Sequence, residues 1–144
     1  MGTEIGKMLH NCLYFTANSL ARQVSQLAEE EFRFTGLSPS HAFLLMLVNE
    51  HPGITQKELS EALNLAPSTV TRFVDSLTLK QGLVERRTEG KTARIYPTEK
   101  GKAAQSQIGQ CWHNFYLRYS EILGETNGAN LVREIDGANE KLKG

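Results

Sequence analysis

The sequence predicts a mainly α-helical fold with a small β-hairpin, and three observations carry the prediction. Thr55-Gln56-Lys57-Glu58 is a capping box that opens a short helix, because each side chain can satisfy the other residue's unpaired backbone N–H. Asn64-Leu65-Ala66-Pro67 then ends that helix and starts another within a few residues, as asparagine tolerates the left-handed geometry of a helix end and proline suits a first helical position. After Gly82, Leu83–Arg87 and Ala93–Tyr96 have strand character on either side of a polar turn. Helix, tight turn, helix and hairpin, in that order, make a winged helix-turn-helix flanked by long N- and C-terminal dimerisation helices.

Each element has its own warrant. In the first helix of the motif, Leu59, Ala62 and Leu63 form one apolar stripe. In the second, Val70, Phe73, Val74, Leu77 and Leu79 mark the inner side, while Ser68, Thr69, Thr71, Arg72 and Asp75 mostly point elsewhere. Gly82 is expected as a left-handed cap. Pro97 cannot continue a strand ladder, and Thr98 is placed to cap the helix that follows.

The flanks are long and apolar. Ile5, Leu9, Cys12, Phe15, Leu20, Val24 and Leu27 recur at helical spacing and predict one helix to about residue 34, ended by Thr35-Gly36. Ser38-Pro39 starts a further helix whose run Ala42–Val48 has no polar face, so it is expected to be buried. Another long helix begins near Glu99 and carries Ile108, Cys111, Trp112, Phe115 and Tyr119. A break from Gly124 to Gly128 is expected to precede a short last helix. Met8, Leu13, Tyr14 and Ala17 form a second apolar edge on the first helix that a monomer would leave exposed. A homodimer with interleaved ends follows. The expected organisation is a single domain over 1–144, with a winged helix-turn-helix lobe at 37–98 and a helical dimerisation lobe from 1–36 and 99–144.

Short hydroxyl side chains followed by an arginine suit a helix N-terminus entering the DNA major groove. They allow close approach, bond phosphates and base edges, and sit where the helix dipole favours anions. Ser68, Thr69, Thr71 and Arg72 are therefore candidate DNA contacts, with Arg86, Lys91 and Arg94 from the hairpin. The bland alternatives are surface hydroxyls and an Arg72–Asp75 ion pair. Arg86 and Arg87 alternate across a strand, so at most one of them faces DNA while the other packs or pairs.

The order Leu63-Asn64-Leu65-Ala66-Pro67-Ser68-Thr69-Val70-Thr71-Arg72, then Leu77 to Gly82-Leu83-Val84-Glu85-Arg86, then Thr98-Glu99-Lys100-Gly101, resembles the MarR family of bacterial transcriptional regulators. The resemblance implies an obligate homodimer that binds a palindromic double-stranded DNA operator as a ligand- or oxidant-responsive repressor. It also implies an effector crevice for a small aromatic molecule, to which Tyr14, His41, Phe43 and Arg72 are candidate contributors. One departure stands out: where the family usually carries Asp-x-Arg in its wing, this chain has Glu89-Gly90-Lys91. Lysine lacks arginine's planar fork and is less suited to a narrow minor groove, leaving Arg94 to take over that contact. The alternative function is a winged-helix protein-interaction module that does not bind DNA.

Composition narrows the rest. The chain of 144 residues is formally neutral and 40% hydrophobic, enough for one core. Residues 55–102 hold nine Lys/Arg against six Asp/Glu, and the remainder seven against ten, so the motif is locally basic. No stretch approaches the roughly 20 apolar residues of a membrane span, so no membrane partner is expected and the cytoplasm is the expected location. No phosphate-binding loop, nucleophile elbow or acid pair is present, hence no enzyme and no cofactor. His10, His41, His51 and His113 lack ligand spacing, hence no metal. Cys12 is a candidate redox sensor through the family resemblance, although an isolated cysteine on an apolar stripe is usually a small buried hydrophobe.

Overall fold

The computed structural model describes residues 2–144. In chain order it contains α1 (Glu4–Leu9), α2 (Leu13–Phe32), a 3-10 turn (Arg33–Thr35), α3 (Pro39–Glu50) and β1 (Ile54–Thr55). These are followed by α4 (Gln56–Leu63), α5 (Pro67–Leu79), β2 (Val84–Glu89), β3 (Thr92–Pro97), α6 (Glu99–Leu123) and α7 (Glu125–Leu142). The fold is mainly α with a small antiparallel wing, as the sequence predicts. Two compact units result: one of the described residues up to Glu31 with Asn114–Gly144, the other of Phe32–His113. The second contains all of 37–98 and also the first half of α6.

In the Phe32–His113 unit the capping signals are realised one by one. Ser38 accepts from His41 N at 3.2 Å, and Pro39 opens α3. Thr55 Oγ1 accepts from Glu58 N at 3.1 Å while Glu58 Oε1 accepts from Thr55 N at 3.2 Å, closing the capping box on α4. The hydrogen bond from the Thr55 hydroxyl and then that from its backbone hold the Glu58 carboxyl below the usual carboxylate range. At the other end of α4, Asn64 adopts φ 55°, the left-handed geometry asparagine tolerates. Ser60 Oγ donates to Leu65 O at 2.6 Å across the turn, and Pro67 begins α5. Gly82, at φ 64°, turns the chain so that Leu83 N reaches Leu77 O at 2.8 Å.

The core of this unit is Phe32, Leu44, Leu45, Val48, Leu59, Val70, Val74, Leu77, Val84, Ile95 and Ile108, all with their side chains fully buried. The unbroken apolar run of α3 is divided by position: Ala42, Leu44, Leu45 and Val48 are buried, whereas Phe43, Met46 and Leu47 keep partial access to solvent. Leu79 departs from the sequence reading. It is 82% exposed because two residues past Leu77 the helix has turned to its opposite side. Ala62 is likewise exposed.

The sequence predicts a two-stranded hairpin, and the structure adds a third strand. β1 pairs antiparallel with β3 through Ile54↔Ile95 and Thr55↔Arg94, giving the order β1-β3-β2. A strand of two residues has no alternation to read, and its second residue is the helix cap itself. In the main ladder Val84 opposes Pro97 and Glu89 opposes Thr92, so only Gly90 and Lys91 form the tip. Gly90 carries the positive φ, 64°, that a two-residue hairpin turn needs at its first position.

The other unit corrects two helix boundaries. The single N-terminal helix expected to residue 34 is broken at residues 10–12, between α1 and α2. Asn11 Nδ2 donates to Lys7 O at 2.8 Å and Thr16 Oγ1 donates to Cys12 O at 2.9 Å, so side chains compete for backbone groups at the break. At the C-terminal end the break is Gly124 alone, at φ 91°, and α7 is 18 residues long rather than short. Gly128 stays helical, with its N–H on Gly124 O at 2.8 Å. It is buried close to the Tyr119 ring, where packing offsets its low helix propensity.

Within this unit Arg118 bonds Glu30 at 2.7 Å and Glu31 at 3.4 Å, tying the end of α6 to α2. An apolar trough lined by Leu20, Val24, Phe115, Leu123 and Val132 remains open beside them. Leu13, Tyr14, Ile122 and Leu142 are also exposed. Among the described residues no helix is long and apolar enough to cross a membrane.

Candidate nucleic-acid interface

The start of α5 presents the residues singled out in the sequence. Ser68, Thr71 and Arg72 are exposed and lie at spacings of three and four, hence on one face; Thr69 is half-exposed. Arg72 Nη2 donates to Thr69 Oγ1 at 3.3 Å, which draws the guanidinium back along the first turn of the helix. Thr71 Oγ1 donates to Pro67 O at 3.1 Å and accepts from Gln56 Nε2 at 3.0 Å. The ion pair weighed for Arg72 and Asp75 is not the one formed, since Asp75 Oδ1 sits 2.8 Å from Arg86 Nη2.

Gln56 is the residue that sequence reasoning missed. While its amide nitrogen reaches Thr71, its Oε1 accepts from Arg86 Nε at 2.9 Å. A chain of hydrogen bonds therefore runs Thr71–Gln56–Arg86–Asp75 and joins α4, α5 and β2. The angle between wing and helix is fixed by side chains 11 to 30 positions apart in sequence. Gln56 stands at the first position of α4, where a polar residue is unremarkable, so its spacing carried no signal.

Arg86 is accordingly turned inward, with its guanidinium engaged by Asp75 and Gln56. As the side chains of Arg86 and Asp75 are 29% and 46% exposed, solvent screens the pair. Arg86→Ala is expected to lower the unfolding free energy by about 1 kcal/mol, measured by urea denaturation; an unchanged midpoint would mean that the brace carries no stability.

The rest of the wing divides in the same way. Arg94 Nη1 donates to Gly53 O at 3.0 Å, and its Nε lies 3.2 Å from Glu89, so this arginine is half-buried against its own strands. Arg87 stacks on the Tyr96 ring at 4.1 Å and pairs with Glu85. Lys91 is exposed at the hairpin tip, beside Thr55, Gln56 and Lys57. Of the hairpin cations expected to contact DNA, Lys91 alone projects outward, whereas Arg86 and Arg94 are held back on the fold.

Of the four candidate effector residues, Tyr14 belongs to one unit and His41, Phe43 and Arg72 to the other. Tyr14 is 79% exposed in the unit of the chain ends. His41 meets the Phe73 ring edge-on at 4.3 Å; burial lowers its pKa, and its Nε2 is buried without a hydrogen-bond partner. Phe43, two positions on and so on nearly the opposite side of α3, packs edge-on against Phe32 and Trp112 at 5.6 and 5.3 Å. It lines a pocket of about 520 Å³ with residues of α3, α4 and α6. Cys12, expected inside a continuous helix, lies in the break before α2 and is exposed, whereas Cys111 is buried in the other unit. Among the described residues no group of three His, Cys, Asp or Glu side chains could hold a metal ion.

Residues 37–95 match the model of the MarR family, which bears out the resemblance read from the sequence. An uncharacterized HTH-type transcriptional regulator, YybA of Bacillus subtilis (strain 168), is 29% identical over 86 residues, which span 58% of this chain and 57% of that protein. Among solved structures, CouR from Rhodococcus jostii RHA1 bound to p-coumaroyl-CoA is similar with a TM-score of 0.72 at 24% identity, over 88% of this chain and 90% of that one. The M. tuberculosis regulator MosR in complex with DNA is similar with a TM-score of 0.80 at 22% identity, over 92% of this chain and 96% of the other. At these identities the likeness to solved structures is one of fold.

Proposed function

We propose that this chain, which belongs to the MarR family through its residues 37–95, is a homodimeric, sequence-specific DNA-binding regulator that acts as a ligand- or oxidant-responsive repressor. The observation that carries the reading is the first part of α5, where Ser68, Thr71 and Arg72 share an exposed face. Gln56 and Arg86 brace that helix against the wing. In this reading Arg72 meets a phosphate or base edge, Ser68 and Thr69 bond the backbone, Thr71 keeps its hydroxyl on Pro67 and Gln56, and Lys91 meets phosphates beside the groove. Arg86 and Arg94 serve by holding the wing in place.

Dimerisation rests on the apolar surface that the chain ends leave uncovered. A two-fold dimer sets two recognition helices about one DNA turn apart and reads a palindrome. In this scheme the protein is cytoplasmic, like the DNA it serves. Cys12, exposed at the break before α2, is the thiol an oxidant would reach. The rival reading, a winged-helix interaction module without DNA binding, draws on the inward-held Arg86 and Arg94 and on the neutral total charge.

The test is the stoichiometry of the complex with DNA taken from beside the gene, by light scattering and footprinting. Two chains per duplex protecting two half-sites are expected, and peroxide should release wild type but not Cys12→Ser. A single chain per site would end the dimer reading; equal release of both proteins would remove Cys12 from it.

A further inference from the structure

The pocket in the Phe32–His113 unit has a one-sided chemistry. Its walls are Phe43, Met46, Leu47, Leu63 and Trp112, and its polar groups are Asn49, Gln105 and Glu50. None of these lining residues is Lys, Arg or His. At about 520 Å³ it falls in the range of small-molecule sites, roughly 300–1,000 Å³. The polar groups favour a donor. Asn49 spends its Nδ2 on Gly101 O and Gln105 Oε1, at 3.2 and 3.0 Å, while its Oδ1 is buried with no hydrogen-bond partner. Buried beyond the reach of a water molecule, that atom takes no part in binding. Glu50 adds a carboxylate, exposed and in contact with His51 through Oε1 at 2.8 Å. The indole of Trp112 offers the aromatic face that attracts cations best.

We propose that this pocket binds a small amphiphile with an apolar body and a protonated amine head. The body lies against Phe43, Leu47, Leu63 and Trp112, and the ammonium is shared by Glu50 and the Trp112 ring. A carboxylate ligand of the same shape would find Glu50 repulsive and meet no cation in the lining. Binding depends on the pocket alone; only its consequence for DNA rests on the regulatory reading above.

Trp112 is the sole tryptophan of the chain, so its fluorescence reports on this site. The full-length protein is titrated without DNA against three matched probes: 4-phenylbutylammonium, 4-phenylbutyrate and the neutral 4-phenylbutan-1-ol. The expected result is ammonium binding about tenfold tighter than carboxylate binding, the size of effect that 1.4 kcal/mol gives. Glu50→Gln, at an exposed position, should erase most of that preference and leave the alcohol unchanged. Equal affinities, a preference for the carboxylate, an unaltered preference in Glu50→Gln, or no binding of any probe because a second copy fills the pocket would each overturn the proposal. Ammonium binding that leaves DNA affinity unchanged would sustain the proposal and count against a ligand-responsive repressor.

Discussion

Replacing Gly101 with alanine is expected to cost about 3 kcal/mol or more, at the upper end of the range for overpacked sites. A Cβ built there would stand 2.0 Å from Leu83 O and 3.1 Å from Leu83 C. Both atoms are backbone, and neither can step aside. Leu83 O accepts from Thr98 N at 3.1 Å, and Leu83 N is held on Leu77 O at 2.8 Å. Thr98 also bonds Gly82 O and receives Gly101 N, so the start of α6 and the end of α5 are tied at one point. Moving either would pull on α5. Against a total stability of about 5–15 kcal/mol, such a loss is large. Gly109, in the same helix with open space around it, is the control: alanine there should stabilise by roughly 0.5–1 kcal/mol. Urea denaturation of the two variants decides the matter, and a Gly101→Ala protein as stable as wild type would refute the close contact.

Arg72→Ala is expected to weaken DNA binding by about 1–3 kcal/mol per contact while leaving the fold intact. The arginine is exposed and its bond within the protein is a 3.3 Å contact with Thr69, so little stability is at stake. Its partner in the bound state separates two versions of the role. Loss of a phosphate contact would weaken binding evenly across sequences and lower the salt slope by about one, whereas loss of a base contact would relax preference at one position of each half-site. Fluorescence anisotropy on the operator and on point-substituted operators distinguishes them. Undiminished affinity would remove Arg72 from the interface.

Much of this arrangement is legible in the sequence because the signals are local. The Thr55–Glu58 box, Asn64 in its left-handed turn, Pro67 and Gly82 act within a few residues of themselves, and all appear where the sequence places them. What escaped depends on distant partners. β1 has no period to read and exists because Ile95 and Arg94 lie opposite it. The break at residues 10–12 interrupts an apolar repeat that continues on both sides, so periodicity alone runs through it. The inward turn of Arg86 is set by Asp75 and Gln56, and that of Arg94 by Gly53 and Glu89. The alternation of Arg86 and Arg87 does show that one of the two must pack or pair. It cannot show which, and the stacking of Arg87 on Tyr96 engages that side chain as well.

These inward arginines shift the expected weight of DNA recognition to the start of α5 and to Lys91. The most direct test of that claim is the affinity of the full chain for a labelled operator fragment measured across a salt series. Four phosphate contacts would cost about a hundredfold in affinity for a fourfold rise in salt, and at least that fall is expected, reduced in Lys91→Ala. No binding at low salt, or binding indifferent to salt, would contradict it and leave the winged-helix interaction module as the better description.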